Sequence, residues 1–195
     1  MSGELFRYLT AVAFSFVAAC GSEATEPAAR SAGDWVLDKA ASTLNFRGTQ
    51  TGREFTGSFS KFDAVIVFDP DDLGAAKIEV VVDTASAETG DRQRDAALPT
   101  ADWFAAAKFP TATFTSSDVV RTGEGRYEAR GQLKIREFAR PVLLPFTLKI
   151  DGDRARADGS LTLRRTDYGV GQGEFSTDAW VGFNVEVKFH VEATR

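Results

Sequence analysis

Apolar and polar residues alternate with a period of two along most of this chain. Leu44, Phe46 and Gly48 share one strand face, and Ile78, Val80 and Val82 share another. The alternation recurs from Tyr127 through Ala129, Gly131 and Leu133 to Ile135, and again from Val142 through Leu144, Phe146 and Leu148 to Ile150. It continues through Ala155, Ala157, Gly159, Leu161 and Leu163. The last run, every second residue from Val181 to Val191, is the cleanest, with Asn184, Glu186, Lys188, His190 and Glu192 on its other face. Successive side chains of a β-strand point to opposite faces, so this pattern predicts half-buried strands. Runs of this kind separated by Gly, Asp and Pro predict an all-β fold, an antiparallel sandwich or barrel. Asp151-Gly152-Asp153 and Thr122-Gly123-Glu124-Gly125 read as hairpin connections.

Two features favour a barrel. Each strand has one apolar face, and closing the sheet hides that face while removing exposed edges. Several inward positions are also small: Gly57, Ala129, Gly131, Ala155, Ala157 and Gly159. A solid core fills such sites with branched side chains. Either the interior is hollow, or the glycines relieve curvature and opposing phenylalanines occupy the space. One segment breaks the strand series, a short helical excursion near residues 89–106. It is predicted to start at Thr89 as N-cap, run to Ala97 before Pro99, and make a second turn over Ala101–Ala106. On an otherwise β chain it is placed to close one barrel end, with Leu98, Trp103 and Phe104 over the core.

That excursion also carries a likeness. Arg94-Asp95 with Leu98, then Asp102-Trp103-Phe104, then Lys108-Phe109-Pro110 with Ala112 and Phe114, resembles the YceI-like family of secreted lipid- and polyisoprenoid-binding proteins. So do the opening Trp35-Val36-Leu37-Asp38, the stretch Phe55–Phe62 followed by Phe68-Asp69-Pro70, Gly131–Val142, and Arg165–Gly171. The likeness spans Trp35 to Thr194. Many members carry a histidine where the first two strands meet, and this chain has Gly48–Gly52 there, so no role tied to that histidine transfers. The resemblance implies a lipocalin-like antiparallel barrel of about eight strands, often dimeric, with an elongated pocket for an isoprenoid or fatty-acid-like chain. Inward parity then nominates Phe46, Phe55, Phe59, Ile66, Val80, Phe114, Leu133, Phe146, Leu161 and Phe183 as lining, with Trp103 and Phe104 closing the pocket. The ligand is expected to be that lipid, with no further cofactor and no metal.

The N-terminus sets the compartment. Leu9–Ala19 is apolar but too short to span a bilayer, follows Arg7, and ends in small residues. Val17-Ala18-Ala19-Cys20 resembles a bacterial lipoprotein signal, in which Cys20 becomes the lipidated first residue; an ordinary secretory leader is the alternative. Residues 1–19 are then a signal peptide, 20–33 a lipidated start and polar tether, and 34–195 the folded domain. The tether reaches roughly 45 Å at full extension. The expected location is the periplasm or cell envelope, with the outer membrane favoured. Cys20 is the only cysteine, which excludes an intrachain disulfide.

Composition narrows the chemistry. The 195-residue chain is 43% hydrophobic and 26% charged, with a net charge of −5. That suits one soluble domain and argues against nucleic acid as partner. The single histidine, His190, falls on the charged face of the last strand, leaving neither a zinc set nor a Cys/His pair. Gly169–Gly173 lacks the lysine and the strand-to-helix setting of a phosphate loop. Arg94, Asp95, Arg165 and Asp167 lie in the two loops most like the family. They either contact a ligand head group or fasten the loops to the barrel. The predicted function is therefore binding, and not catalysis. A lipid-modifying enzyme using the same pocket and an envelope stress or scaffold protein with a filled barrel stand as alternatives.

Overall fold

The computed structural model describes residues 34–195, so the predicted signal peptide, Cys20 and the tether lie outside the described residues. The described residues form one sheet of eleven segments. They are β1 (Asp34–Leu37), β2 (Thr43–Gln50), β3 (Arg53–Phe59), β4 (Phe62–Val67), β5 (Lys77–Asp83) and β6 (Ala87–Glu88), then, after helix α1 (Arg92–Ala97), β7 (Thr111–Gly123), β8 (Arg126–Ile135), β9 (Phe138–Asp151), β10 (Arg154–Arg164) and β11 (Asn184–Thr194). Both β1 and β2 pair with β11, one after the other along the same edge. Segments β3 and β4 pair with β2 and β1 in turn, and β6 and β5 with β3 and β4. The first six segments are thus three long strands, each broken once, and the whole is an eight-stranded up-and-down antiparallel barrel. The expected fold class is what the structure has.

The breaks lie side by side and are made by short polar residues. Asp38 accepts hydrogen bonds from the backbone N–H of Ala40 and Ala41, at 3.0 and 3.1 Å. Ser42 accepts one from Glu192 N at 3.0 Å. Asp83 caps a 3-10 turn at Thr84–Ser86 by accepting from Ala85 N. Buried Thr84 donates through its hydroxyl to Phe109 O at 2.8 Å, tying the break to the return from the excursion. Side chains that bond nearby backbone offer the chain an alternative to the ladder, which is why the strands bend there.

The two barrel ends differ. The end bearing the β7–β8 and β9–β10 turns is packed solid. Phe68 meets Tyr127 edge-on at 5.1 Å, Tyr127 stacks on Phe146 at 5.6 Å, and Trp35 donates its indole N–H to Phe68 O at 2.8 Å. The other end carries the β2–β3 turn, the excursion, the β8–β9 turn and residues 165–183. There β6 does not pair with β7, and the β9–β10 ladder stops at Phe146↔Gly159. The β2–β3 turn holds Thr51 and Gly52, both at positive φ (49° and 76°), as a tight hairpin turn matching strand twist requires.

The helical excursion is shorter than predicted, and its cap is different. Asp91, not Thr89, is the N-cap, accepting from Gln93 N and Arg94 N. Thr89 instead donates both its backbone N–H and its hydroxyl to Asp95 at 2.7 Å, which locks the approach to the helix. Residues 98–108 form successive turns with no second helix.

The small inward residues divide into two groups. Phenylalanine rings lie across the glycines: Phe46 over Gly57, Phe114 over Gly131, and Phe189 over Gly159. Two of these pairs face each other directly in register, Phe46↔Gly57 and Phe189↔Gly159. For the glycines the curvature-and-filling alternative holds, since the ring occupies the space that a Cβ would take. Ala155 and Ala157 line the enclosed space. Placing a methyl at Gly159 would drive it into the Phe189 ring and the Pro145 carbonyl. Gly159→Ala should therefore lower unfolding stability by about 1–3 kcal/mol, read from urea midpoints.

Candidate functional site

The barrel encloses a cavity of about 220 Å³ running between the aromatic plug and the excursion. Room for one water is about 10–15 Å³, so this is a compartment and no packing defect. Every strand except two-residue β6 contributes to the lining, which is apolar apart from Thr113, a residue whose register partners Val81 and Lys134 are exposed on the outer face. Nothing in such a wall hydrogen-bonds a polar ligand, and water inside has few partners. The lining suits a hydrocarbon. The barrel is not filled by its own side chains.

Seven residues nominated from parity line this space, namely Phe59, Ile66, Val80, Phe114, Leu133, Phe146 and Leu161, and so does Phe104 of the excursion. Phe104 reaches in from the excursion and packs edge-on against Phe59 at 5.7 Å, closing the loop end as expected. Four do not line it. Phe46 lies against Gly57 and the Phe59 ring, with centroids 5.3 Å apart, and is screened from the cavity. Phe55 lies across Gly48 and under the Arg94 guanidinium at 4.8 Å. Trp103 turns away to pack on Phe175 at 5.1 Å. Phe183 lies ahead of β11 beneath Arg164, whose guanidinium carbon is 4.0 Å from the ring centre. Phe55 and Phe183 share a cause: parity assigns a strand face, but near a rim the face meets loops. Lining from β1, from β4 and from the residue just after it, namely Trp35, Phe62, Ala64 and Phe68, was missed, although the alternation Phe62-Ala64-Ile66-Phe68 carries the signal.

The four loop residues considered for a head group are engaged in fastening loops. Arg165 is buried, and its guanidinium donates to five backbone carbonyls: Gly182, Val170, Gly171, Thr177 and Val181, at 2.7–3.2 Å. Burial, and then the adjacent Arg164 charge, lower its pKa from the ordinary arginine value. Arg94 donates to Thr89 Oγ1 and Gln50 Oε1 at 3.1 Å, and Asp95 holds Thr89. Asp167 sits 3.8 Å from Arg164. A further cation that the sequence did not suggest does similar work. Arg136, buried and at φ 55° in the β8–β9 turn, donates Nη1 to the carbonyls of Ala101, Trp103 and Gly169. It ties the excursion to the 165–183 loop, and those three bonds hold a backbone conformation uncommon for a residue with a Cβ. His190 lies on the outer face, 2.7 Å from Asp158. Among the described residues no three His, Cys, Asp or Glu side chains converge in a metal-holding group.

Comparison with known proteins agrees with this architecture. The model of the YceI-like domain matches residues 35–193, the entire barrel. The chain belongs to the YceI-like family. A UPF0312 protein of Vibrio cholerae is 32% identical over 153 residues, covering 74% of this chain and 81% of the relative. The crystal structure of Burkholderia cenocepacia BcnA superposes with a TM-score of 0.78 at 33% identity, covering 81% of this chain and 99% of that one. A polyisoprenoid-binding domain from Saccharophagus degradans shares the fold, with a TM-score of 0.65 at 17% identity, over 82% of this chain and 97% of that one. This YceI-like chain thus keeps the family barrel.

Two measurements follow from these contacts. Lysine cannot reproduce the fork of Arg165. Arg165→Lys should therefore cost about 3 kcal/mol or more in urea unfolding by leaving buried carbonyls unpaired. Asp91 and Asp63 are held below the ordinary 3.8, Asp91 chiefly by the Arg94 N–H and Asp63 chiefly by the Lys39 ammonium. A depressed carboxylate stabilises the fold above its unfolded pKa and loses that contribution as pH falls through the folded value. Stability should hold above pH about 4 and decline below it, and Asp91→Asn should flatten that acid limb in thermal melts.

Proposed function

We propose that this YceI-like barrel binds a long-chain apolar lipid in its cavity, a polyisoprenoid, an isoprenoid quinone or a fatty-acid-like chain, and stores or carries it at the bacterial cell envelope. The observation that carries this reading is a compartment of about 220 Å³ walled almost wholly by apolar residues. The name of the Saccharophagus degradans domain, a polyisoprenoid binder of the same fold, points the same way. Lipidation at Cys20 with a tether of residues 21–33 would keep the domain within reach of a membrane, since dual acylation anchors durably where one chain does not. A homodimer, as the family resemblance implies, is part of this reading.

The energetics support exchange. Burying a methylene from water gains about 0.8 kcal/mol, but a lipid starts in the bilayer, where its chain is already out of water. Transfer from bilayer to apolar cavity is then close to neutral, and both loading and release are accessible. The catalytic alternative has less to draw on, because Arg94, Asp95 and Arg165 are engaged in loop contacts.

Solvent extraction and native mass spectrometry of the full chain from a bacterial envelope should return a long-chain lipid with the protein, and should read the oligomeric state. Repeated preparations free of extractable lipid, together with no uptake of added long-chain isoprenoids, would sink the reading. Ala157→Leu places bulk on β10 inside the cavity. It should reduce retained lipid about tenfold or more, with an unfolding midpoint near that of the parent chain because the added methylenes fill existing space.

A further inference from the structure

Between β9 and β10 the barrel wall is paired along only part of its length. The β9–β10 ladder runs from Asp151↔Arg154 to Phe146↔Gly159 and stops, although β9 extends back to Phe138 and β10 on to Arg164. Continued in register, Pro145 would face Ser160, Leu144 would face Leu161, and Pro141 would face Arg164. We propose that this seam, between 141–145 of β9 and 160–164 of β10, is the port through which a ligand's hydrocarbon chain enters the cavity. The proposal rests on the lipid-binding reading given above.

The opening follows from the sequence of β9. Its hairpin with β8 closes at Ile135↔Phe138, a two-residue turn, so even-numbered β9 residues exchange their hydrogen bonds with β8. The bond from Leu148 N to Gly125 O, 2.8 Å, continues that rule. Odd-numbered residues then direct their backbone groups toward β10, as the Pro145 carbonyl does beside Gly159. Both prolines are odd-numbered. Pro141 and Pro145 have no N–H to give, and pairing ends where the second of them is reached. Leu143 is left as the only donor on that edge between them.

The lips of the seam are chemically suited to a greasy chain. Val142 and Leu144 on one strand and Leu161 and Leu163 on the other all line the cavity. Leu143, on the outer face between the prolines, is 54% exposed, an apolar landing point at the mouth. Five residues at about 3.3 Å each make a slot about 16 Å long. A long, narrow, apolar slot admits an acyl or prenyl chain laid in broadside and leaves its polar end in water. The other routes are occupied. The β6–β7 gap is bridged by the excursion, with Thr84 N donating to Pro110 O at 3.0 Å and Phe104 beneath. The opposite end is plugged by Phe68, Tyr127 and Phe146.

The test follows uptake of cis-parinaric acid, a linear fluorescent C18 acid, by the full chain in stopped flow. In Pro141→Thr/Pro145→Thr, restored donors let the ladder close, and both loading and release should slow about tenfold with little change in equilibrium affinity. Hydrogen exchange at Leu143 and at residues 160–164 reports whether the ladder has formed. Leu161→Ala, which widens the slot, should accelerate both rates. Ile78→Ala removes similar bulk from the cavity wall away from the seam and should change affinity without that acceleration. A closed ladder with unchanged rates overturns the port. So does equal acceleration by Leu161→Ala and Ile78→Ala, which decides the matter if the proline variant does not fold. No uptake by the wild-type chain would instead sink the lipid reading itself, and the port with it.

Discussion

Segment β1 is four residues long, yet it hydrogen-bonds to β11 on one edge and β4 on the other, and the sealed end of the barrel depends on that link. Without it the ladder reaches only β2, β3 and β6, which stop short of β7. Trp35 reinforces the link twice, by its indole bond to Phe68 O and by packing among Phe68, Tyr127 and Phe146. A sheet with one apolar face gains by closing, because closure hides that face and removes edges. Here the gain is concentrated at one end, and the other end is left to loops.

Glycine and phenylalanine solve a geometric problem together. A small closed barrel must bend its strands, and residues without a Cβ allow the bend. The resulting bare patches of backbone are covered by rings from neighbouring strands, Phe46 on Gly57 and Phe189 on Gly159. Rings flat against the wall take up less of the middle than rings pointing inward. The same phenylalanine content that suggested a filled interior is therefore compatible with a cavity. Ala155 and Ala157, whose side chains are small, are among the residues that line it.

The loop end is held by cations that bond backbone. Arg165 gathers the 170–182 segment through five carbonyls, and Arg136 joins that segment to the excursion. Both residues are buried, and each satisfies carbonyls that would otherwise be stranded in loops folded over an apolar core. With its lid fixed in this way, the wall among the described residues lacks ladder pairing at the β6–β7 gap, which the excursion bridges, and at the prolines of β9.

Local pattern sufficed for much of this. The alternation of side chains follows from strand geometry alone, so the faces of β5, β8, β9, β10 and β11 were legible residue by residue, and seven of the ten residues that parity nominated border the cavity. The hairpin turns were legible because Gly152 and Gly125 permit a backbone conformation that most residues avoid. Only the tertiary structure decided the rest. Which inward phenylalanines lie across a glycine depends on the cross-strand neighbour, which is set by register between distant segments. Whether Arg94 and Arg165 meet ligand or backbone depends on which carbonyls the loops bring near. Periodicity is a property of one strand; enclosed space, and what each side chain faces within it, is a property of eight strands brought into register.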